Sequence, residues 1–178
     1  MQKRLIRHAQ KGDASAYDTL FATYEKDLYR MAFIYTRNEQ DALDVVQETA
    51  YRSFKAIHTL QQPAFFKTWL IRILYNCAKD LLKKRHHFEE IQPELVAVTE
   101  EVDLHIHITL EHVMNELSQE EKAVVLLKYY EDYTFEQIAD CLQMKLGTTK
   151  TILYRALKKL KRALEREEGA SVYEQFKR

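Results

Sequence analysis

At 178 residues the chain is sized for one or two small domains, and 3 Gly with 2 Pro are too few for a turn-rich β protein. Its 27 Lys and Arg balance 27 Asp and Glu overall, yet residues 1–85 carry 15 basic and 9 acidic side chains, residues 86–121 carry 10 acids and no Lys or Arg, and residues 122–178 carry 12 basic and 8 acidic. Basic, acidic, basic suggests two polyanion-binding modules about an acidic connector, and the lack of any run long enough for a signal peptide or membrane span predicts a soluble, intracellular protein.

Residues 2–10 predict a short helix ending near Gly12. Asp13 then caps a long helix, with Ala16, Tyr17, Leu20, Phe21, Tyr24, Leu28, Met31, Ala32 and Tyr35 on its apolar face. Asn38 ends it and caps the next, DALDVVQETAYRSFKAI, with Asp41 in the first turn. There Leu43, Val46, Ala50, Phe54 and Ile57 are expected to face a core, and Asp41, Asp44, Gln47, Glu48 and Arg52 to project from it. After a loop from His58 to Pro63, a third helix is expected over Ala64 to Arg85. Phe66, Trp69, Leu70, Ile73, Leu74, Cys77 and Leu81 make its buried stripe. Three such helices suffice for one core.

Periodicity is lost from His86 to about Asp103, which reads as an acidic linker. Residues 104–117 predict a helix, and Ser118 with Glu121 is a capping box opening another. Thr134 with Gln137 opens a further helix, with Ile138, Ala139 and Leu142 on one face and Cys141 beside it. The stretch Gln143 to Gly147 breaks the pattern. Thr148 is the expected cap of the following helix, whose inward positions are Thr149, Leu153, Ala156, Leu157 and Leu160. That spacing leaves Lys150, Thr151, Arg155, Lys158 and Lys159 outside, in a run from Thr148 to Arg162 that holds no acid. Helix, tight turn, basic helix is the pattern of a DNA-reading helix-turn-helix; an amphipathic pair with a solvated basic face is the alternative. Gly169 is the expected end of this helix, and residues 169–178 a tail.

No enzyme is legible. The chain has no glycine-rich phosphate loop, G-x-S-x-G or H-E-x-x-H. His86-His87 and His105-x-His107 lack a third ligand at a useful spacing, so no metal or cofactor is expected. Cys77 and Cys141 read as separate buried thiols of a reducing compartment. The third helix, in contrast, places Asn76 and Asp80 one turn apart among Arg72, Lys79, Lys83, Lys84 and Arg85. Amides can read base edges and lysines neutralise phosphates. Phe65 and Tyr75 are the aromatics of this region freest to stack an unpaired base.

Taken together these stretches resemble the sigma-70 family of bacterial transcription initiation factors, in its small two-domain group, the extracytoplasmic function (ECF) sigma factors. The D-A-x-D-x-x-Q-E core at Asp41 to Glu48 and the W-L-x-R-I-x-x-N element at Trp69 to Asn76 are specific in combination. The resemblance covers about residues 10–165. It implies an all-α protein with a sigma2-like helical bundle over residues 1–85, a linker over 86–103 and a sigma4-like helix-turn-helix domain over 104–168. It implies that Asp41, Asp44, Gln47 and Glu48 grip the β′ coiled coil of core RNA polymerase, whose β flap is a further partner. Phe65, Arg72, Tyr75, Asn76, Lys79, Asp80 and Lys83 would engage minus-ten promoter DNA, the loop His58 to Pro63 holding a flipped base. Thr148, Lys150, Thr151, Arg155 and Lys158 would read the minus-thirty-five element. A cognate anti-sigma factor, often membrane-anchored, is implied as regulator, with the sigma factor itself cytoplasmic and not inserted in a membrane.

Three positions depart from the family pattern. Gln143 stands where the turn usually has Gly, Thr149 where Val is usual, and Ile152 where Arg is frequent. The last removes a potential DNA contact. A stand-alone dimeric helix-turn-helix regulator is the rival reading, and a helical adaptor without DNA function a second. The acidic Asp41 to Glu48 surface would repel DNA, which weighs against the former.

Overall fold

The computed structural model describes the backbone of residues 2–91 and 114–175, with side chains over 2–85 and 114–166. Every regular element among the described residues is helical. The chain divides into two compact units, Met1–Val98 and Thr99–Arg178. Most of the helix expected over 104–117 and most of the linker lie outside the described residues; of residues 114–117, which are described, Met114 and Asn115 are helical and 116–117 form a turn.

In the first unit, α1 (Gln2–Ala9) ends at Gly12, whose φ of 92° suits a residue without a Cβ. Asp13 caps α2 (Ala14–Ala22) by accepting from the Ala16 N–H at 3.0 Å. The long helix expected here is two helices. The Thr23 hydroxyl donates to the Leu20 carbonyl at 2.6 Å, the Tyr24 N–H bonds Phe21 at 2.8 Å, and α3 (Glu25–Thr36) starts afresh. The turn sets the Tyr24 ring 5.6 Å from that of Phe66. Both helices turn an apolar face inward, so the periodicity runs across the break unmarked by Gly or Pro. Asn38 caps α4 (Glu39–Ala56) as expected, accepting from the Asp41 N–H at 2.9 Å.

The buried face of α4 is Ala42, Val45, Val46, Thr49 and Ser53, an i, i+3, i+4 series of small and β-branched residues. Leu43, expected inside, is 45% exposed. Thr49 and Ser53 satisfy their buried hydroxyls on the helix's own carbonyls, Val45 at 2.6 Å and Thr49 at 2.5 Å. Tyr17 closes the seam, its hydroxyl 2.5 Å from Ser53 Oγ and 3.0 Å from the Ala50 carbonyl. Two short 3-10 turns, Ile57–Thr59 and Pro63–Phe65, lead into α5 (Phe66–Ile91), which runs on past Arg85 into the expected linker. Because α5 lies against both α3 and α4, it buries Ile71, Tyr75 and Ala78 beside the expected Phe66, Leu70, Leu74 and Cys77.

The second unit contains α6 (Gln119–Tyr129), α7 (Phe135–Leu142) and α8 (Leu146–Gln175). The Ser118–Glu121 and Thr134–Gln137 capping boxes both form. Gln143 ends α7 in the left-handed conformation (φ 54°, ψ 46°), and the Met144 N–H returns to the Ala139 carbonyl at 2.8 Å in a Schellman-type stop. The turn is so short that α8 begins at Leu146, ahead of Thr148; Thr148 therefore lies inside the first turn and is not the cap. Ile152 is buried with Leu153 and Ala156, so its departure from the family's Arg fills the core and subtracts nothing from the outer face. Nor does α8 stop at Gly169; it continues to Gln175, since one helical Gly costs only about 1 kcal/mol relative to Ala.

The left-handed Gln143 gives a direct test. Its side chain is exposed, and a Cβ at positive φ costs roughly 1 kcal/mol that Gly avoids. Gln143→Gly is expected to stabilise the protein by about 0.5–1 kcal/mol in urea unfolding. An unchanged or lower midpoint would show that the turn is not strained.

Candidate polymerase and nucleic-acid interfaces

On α4, Asp44 and Gln47 are exposed between two apolar side chains, Leu43 and Tyr51, the latter 56% exposed. Leu43, Gln47 and Tyr51 are spaced by four and share a face. The Lys55 ammonium sits 4.2 Å from the centroid of the Tyr51 ring. The two other expected acids are engaged within the unit. Asp41 accepts from Arg85 Nη1 at 2.7 Å. Glu48 accepts from Arg52 Nε at 2.6 Å, and Arg52 Nη1 reaches Asp80 at 2.8 Å. These pairs tie α4 to α5, and the hydrogen bonds that Arg52 donates to Asp80 and Glu48 raise its already high pKa. Asp80, expected on DNA, is exposed and paired with Arg52.

On α5, Arg72, Asn76, Lys79 and Lys83 recur at steps of four, three and four on one face, with Arg72 half-buried and the others exposed. Phe65 stands at its head, 52% exposed on the 3-10 turn. Tyr75 does not join them. It is 6% exposed and its ring lies 5.9 Å from that of Tyr35, so it is a core residue and not a stacking platform. The loop between the 3-10 turns is held by Gln10, whose amide donates to the carbonyls of Ile57 at 3.2 Å and Leu60 at 2.8 Å. Cys77 lies beneath this surface; burial pushes its thiol pKa up, as for an inert structural cysteine. Cys141 is likewise buried.

On α8, Thr148, Lys150, Thr151, Arg155 and Lys158 are all exposed. Tyr154, which sequence reading passed over, is 67% exposed among them. Lys150 of α8 and Lys128 of α6 approach the Phe135 ring to 5.6 and 5.7 Å. A buried polar link in this unit centres on Glu121. Its carboxylate is wholly buried at the start of α6, and it accepts from Arg155 Nε at 2.8 Å and from Lys159 Nζ at 2.7 Å. The Ser118 N–H adds a third bond at 2.8 Å. Burial by itself pushes this carboxyl up, but the bonds from Lys159, Ser118 and Arg155 together outweigh it and hold the group below the usual carboxylate range.

That lowered value fixes a pH dependence. A group with a depressed folded pKa contributes stability that is present above its unfolded value, about 4.3 for Glu, and lost as pH falls through the folded value. Acid titration of the melting temperature is expected to show this loss below about pH 4.3. Glu121→Gln should remove part of the slope; an identical slope in that variant would mean that Glu121 is not depressed.

No group of three potential metal ligands exists among the described residues. The side chains of His86, His87, His105 and His107 lie outside them. No described helix is long and apolar enough to cross a membrane.

Family comparisons match a segment of each unit separately. Residues 20–88 match the model for sigma-70 region 2, and residues 107–160 match that for sigma-70, region 4. The chain is 32% identical over 152 residues to the RNA polymerase sigma factor SigV of Bacillus subtilis, a match spanning 84% of this chain and 92% of that protein. The chain belongs to the ECF group of the sigma-70 family. It is a sigma factor, which directs RNA polymerase in transcription initiation and is not itself an enzyme. A second relative, the ECF RNA polymerase sigma factor SigW of Bacillus subtilis, is 26% identical over 182 residues, 92% of this chain and 97% of that one. The fold is also that of the sigma factor RpoE of Bartonella quintana, solved with the anti-sigma factor NepR: TM-score 0.73 at 19% identity, over 84% of this chain and 96% of that one. In the sigma factor's own terms, α4 and α5 fall in region 2 and the helix-turn-helix in region 4.

Proposed function

We propose that this sigma factor docks on the β′ coiled coil of core polymerase through the outer face of α4, with Asp44 and Gln47 at its centre and Asp41 and Glu48 at its edge. Arg72, Asn76, Lys79 and Lys83 of α5, with Phe65, take the minus-ten element. Thr148, Lys150, Thr151, Arg155 and Lys158 of α8 take the minus-thirty-five element, and the unit that carries them meets the β flap. The protein works in the cytoplasm beside polymerase, under a cognate anti-sigma factor, often membrane-anchored in this family. Of two proteins of like fold, the sigma factor RpoE was solved with the anti-sigma factor NepR, and CnrH with the cytosolic domain of CnrY.

The observation that carries the reading is the outer face of α8. From Thr148 to Arg162 it exposes Lys150, Arg155, Lys158, Lys161 and Arg162 and no acid, on a helix fixed behind a tight turn. Lysines placed so neutralise phosphates, and an arginine fork among them can read guanine. The test is transcription by polymerase reconstituted with this chain, on promoters selected from random DNA. Arg155→Ala is expected to cut initiation by about 1–3 kcal/mol, mostly at one base pair. Lys158→Ala should weaken all sequences alike and lower the salt slope by about one. Promoter use unaffected by both would sink the assignment of this face.

A further inference from the structure

Resting on that promoter-reading role, we propose that Glu121 of α6 is a positioning residue for minus-thirty-five recognition, aiming the guanidinium of Arg155 at a base while withdrawing cationic charge from sequence-blind attraction. Arg155 is attached to Glu121 Oε1 through Nε, at 2.8 Å, and its side chain is still 58% exposed. A guanidinium held by Nε keeps its terminal pair of nitrogens, and that pair is the fork that bonds guanine O6 and N7 together. A long side chain otherwise wanders among rotamers; one anchored at Nε presents the fork in a single direction. Lys159 sits one turn further along α8 and takes Oε2 at 2.7 Å. One buried carboxylate therefore engages two of the cations of the basic helix.

Helix capping does not explain the charge. Glu121 accepts from the Ser118 N–H as the third residue of a capping box. At the same position of the next capping box stands Gln137, whose neutral amide oxygen accepts from the Thr134 N–H at the same 2.8 Å. A glutamine satisfies this role, so the carboxylate at 121 serves what lies across from it, Arg155 and Lys159. It also follows that Glu121→Gln can keep the cap and the volume while it removes the charge and one of the two acceptor oxygens that hold Arg155 and Lys159.

The two possible roles of Glu121 differ in sign. As a mere staple of α6 to α8, its loss weakens binding to every sequence alike. As a positioning residue, its loss frees Arg155 and Lys159 for phosphates. Binding to unrelated duplex then rises and its salt slope steepens by roughly one to two, while base discrimination falls.

The experiment uses holoenzyme assembled from the full chain and core polymerase. The probe is a pool of duplexes randomised over the minus-thirty-five element upstream of a fixed minus-ten element, with bound DNA counted by sequencing. Glu121→Gln is expected to cut the preference at the base pair that Arg155→Ala erases by about tenfold, with the other positions held. The double variant should be no flatter there than Arg155→Ala alone. In the free wild-type protein the Arg155 Nε–H should give a slowly exchanging NMR signal, a reading that needs no variant to fold. An unchanged profile in Glu121→Gln, uniform weakening at all positions, additivity in the double variant or a freely exchanging Nε–H would each overturn the inference while leaving the α8 assignment standing. A profile untouched by Arg155→Ala would overturn both.

Discussion

Asp44→Lys is expected to abolish capture of core polymerase in a pull-down while leaving helix content and melting temperature close to wild type. Asp44 is exposed on α4, where it accepts from the amide of Gln40, a neighbour on the same helix, at 3.2 Å. Removing such a contact changes stability by no more than about 0.5 kcal/mol. The binding effect is far larger, because a lysine there would face the basic groups expected across the interface. Like charges brought together cost several kcal/mol, and each 1.4 kcal/mol is about tenfold in affinity. A loss of two orders of magnitude is therefore anticipated. Glu48→Lys is a poorer probe: Glu48 holds Arg52, and Arg52 holds Asp80, so reversal there would also loosen α4 from α5. Leu43→Ala supplies the apolar counterpart, expected to weaken capture more modestly by removing exposed surface. Normal capture by folded Asp44→Lys would remove α4 from the polymerase interface.

The contrast between α4 and α8 shows what a sequence makes legible. On α8 the inward positions Thr149, Leu153 and Ala156 were readable because charge clears the opposite face. On α4 one bulky apolar residue misled. Leu43 lies outside, whereas Ala42, Thr49 and Ser53 lie inside beside the expected Val46, since close helix packing selects small side chains over greasy ones. An aromatic gives the same ambiguity in reverse. Tyr75 sits among basic residues in the sequence, but α5 is packed from two sides and the ring falls on the second of them, against Tyr35. Four caps were legible, because a cap is a local bond between residues three apart: Asp13, Asn38, Ser118 and Thr134 form theirs, whereas Thr148 falls inside α8. The links that organise the surfaces were not. Arg85 to Asp41 and Arg155 to Glu121 join residues 44 and 34 positions apart, which no helical period encodes.

Two adjacent phenylalanines should separate fold from function most sharply. Phe66 is fully buried at the start of α5, with the Tyr24 ring 5.6 Å and the Trp69 ring 5.9 Å from its own. Phe66→Ala removes a ring from a packed aromatic cluster, and such truncations cost about 3–5 kcal/mol. Against a typical total of about 5–15 kcal/mol, that leaves the first unit close to unfolding. Phe65, one residue earlier, ends the 3-10 turn and points its ring at solvent. Phe65→Ala exposes nothing new, so its stability should stay within about 0.5 kcal/mol of wild type. Its cost should appear in promoter opening, where stacking of an unpaired base is worth about 1–3 kcal/mol. Urea unfolding and permanganate footprinting of open complexes read the two effects separately. The expected pattern is crossed: Phe66→Ala shifts the unfolding midpoint severely, and Phe65→Ala shifts only the population of open complexes. Equal opening by wild type and Phe65→Ala would place the stacking surface elsewhere. A Phe66→Ala protein of unchanged midpoint would contradict the packing of α5 against the turn that separates α2 from α3.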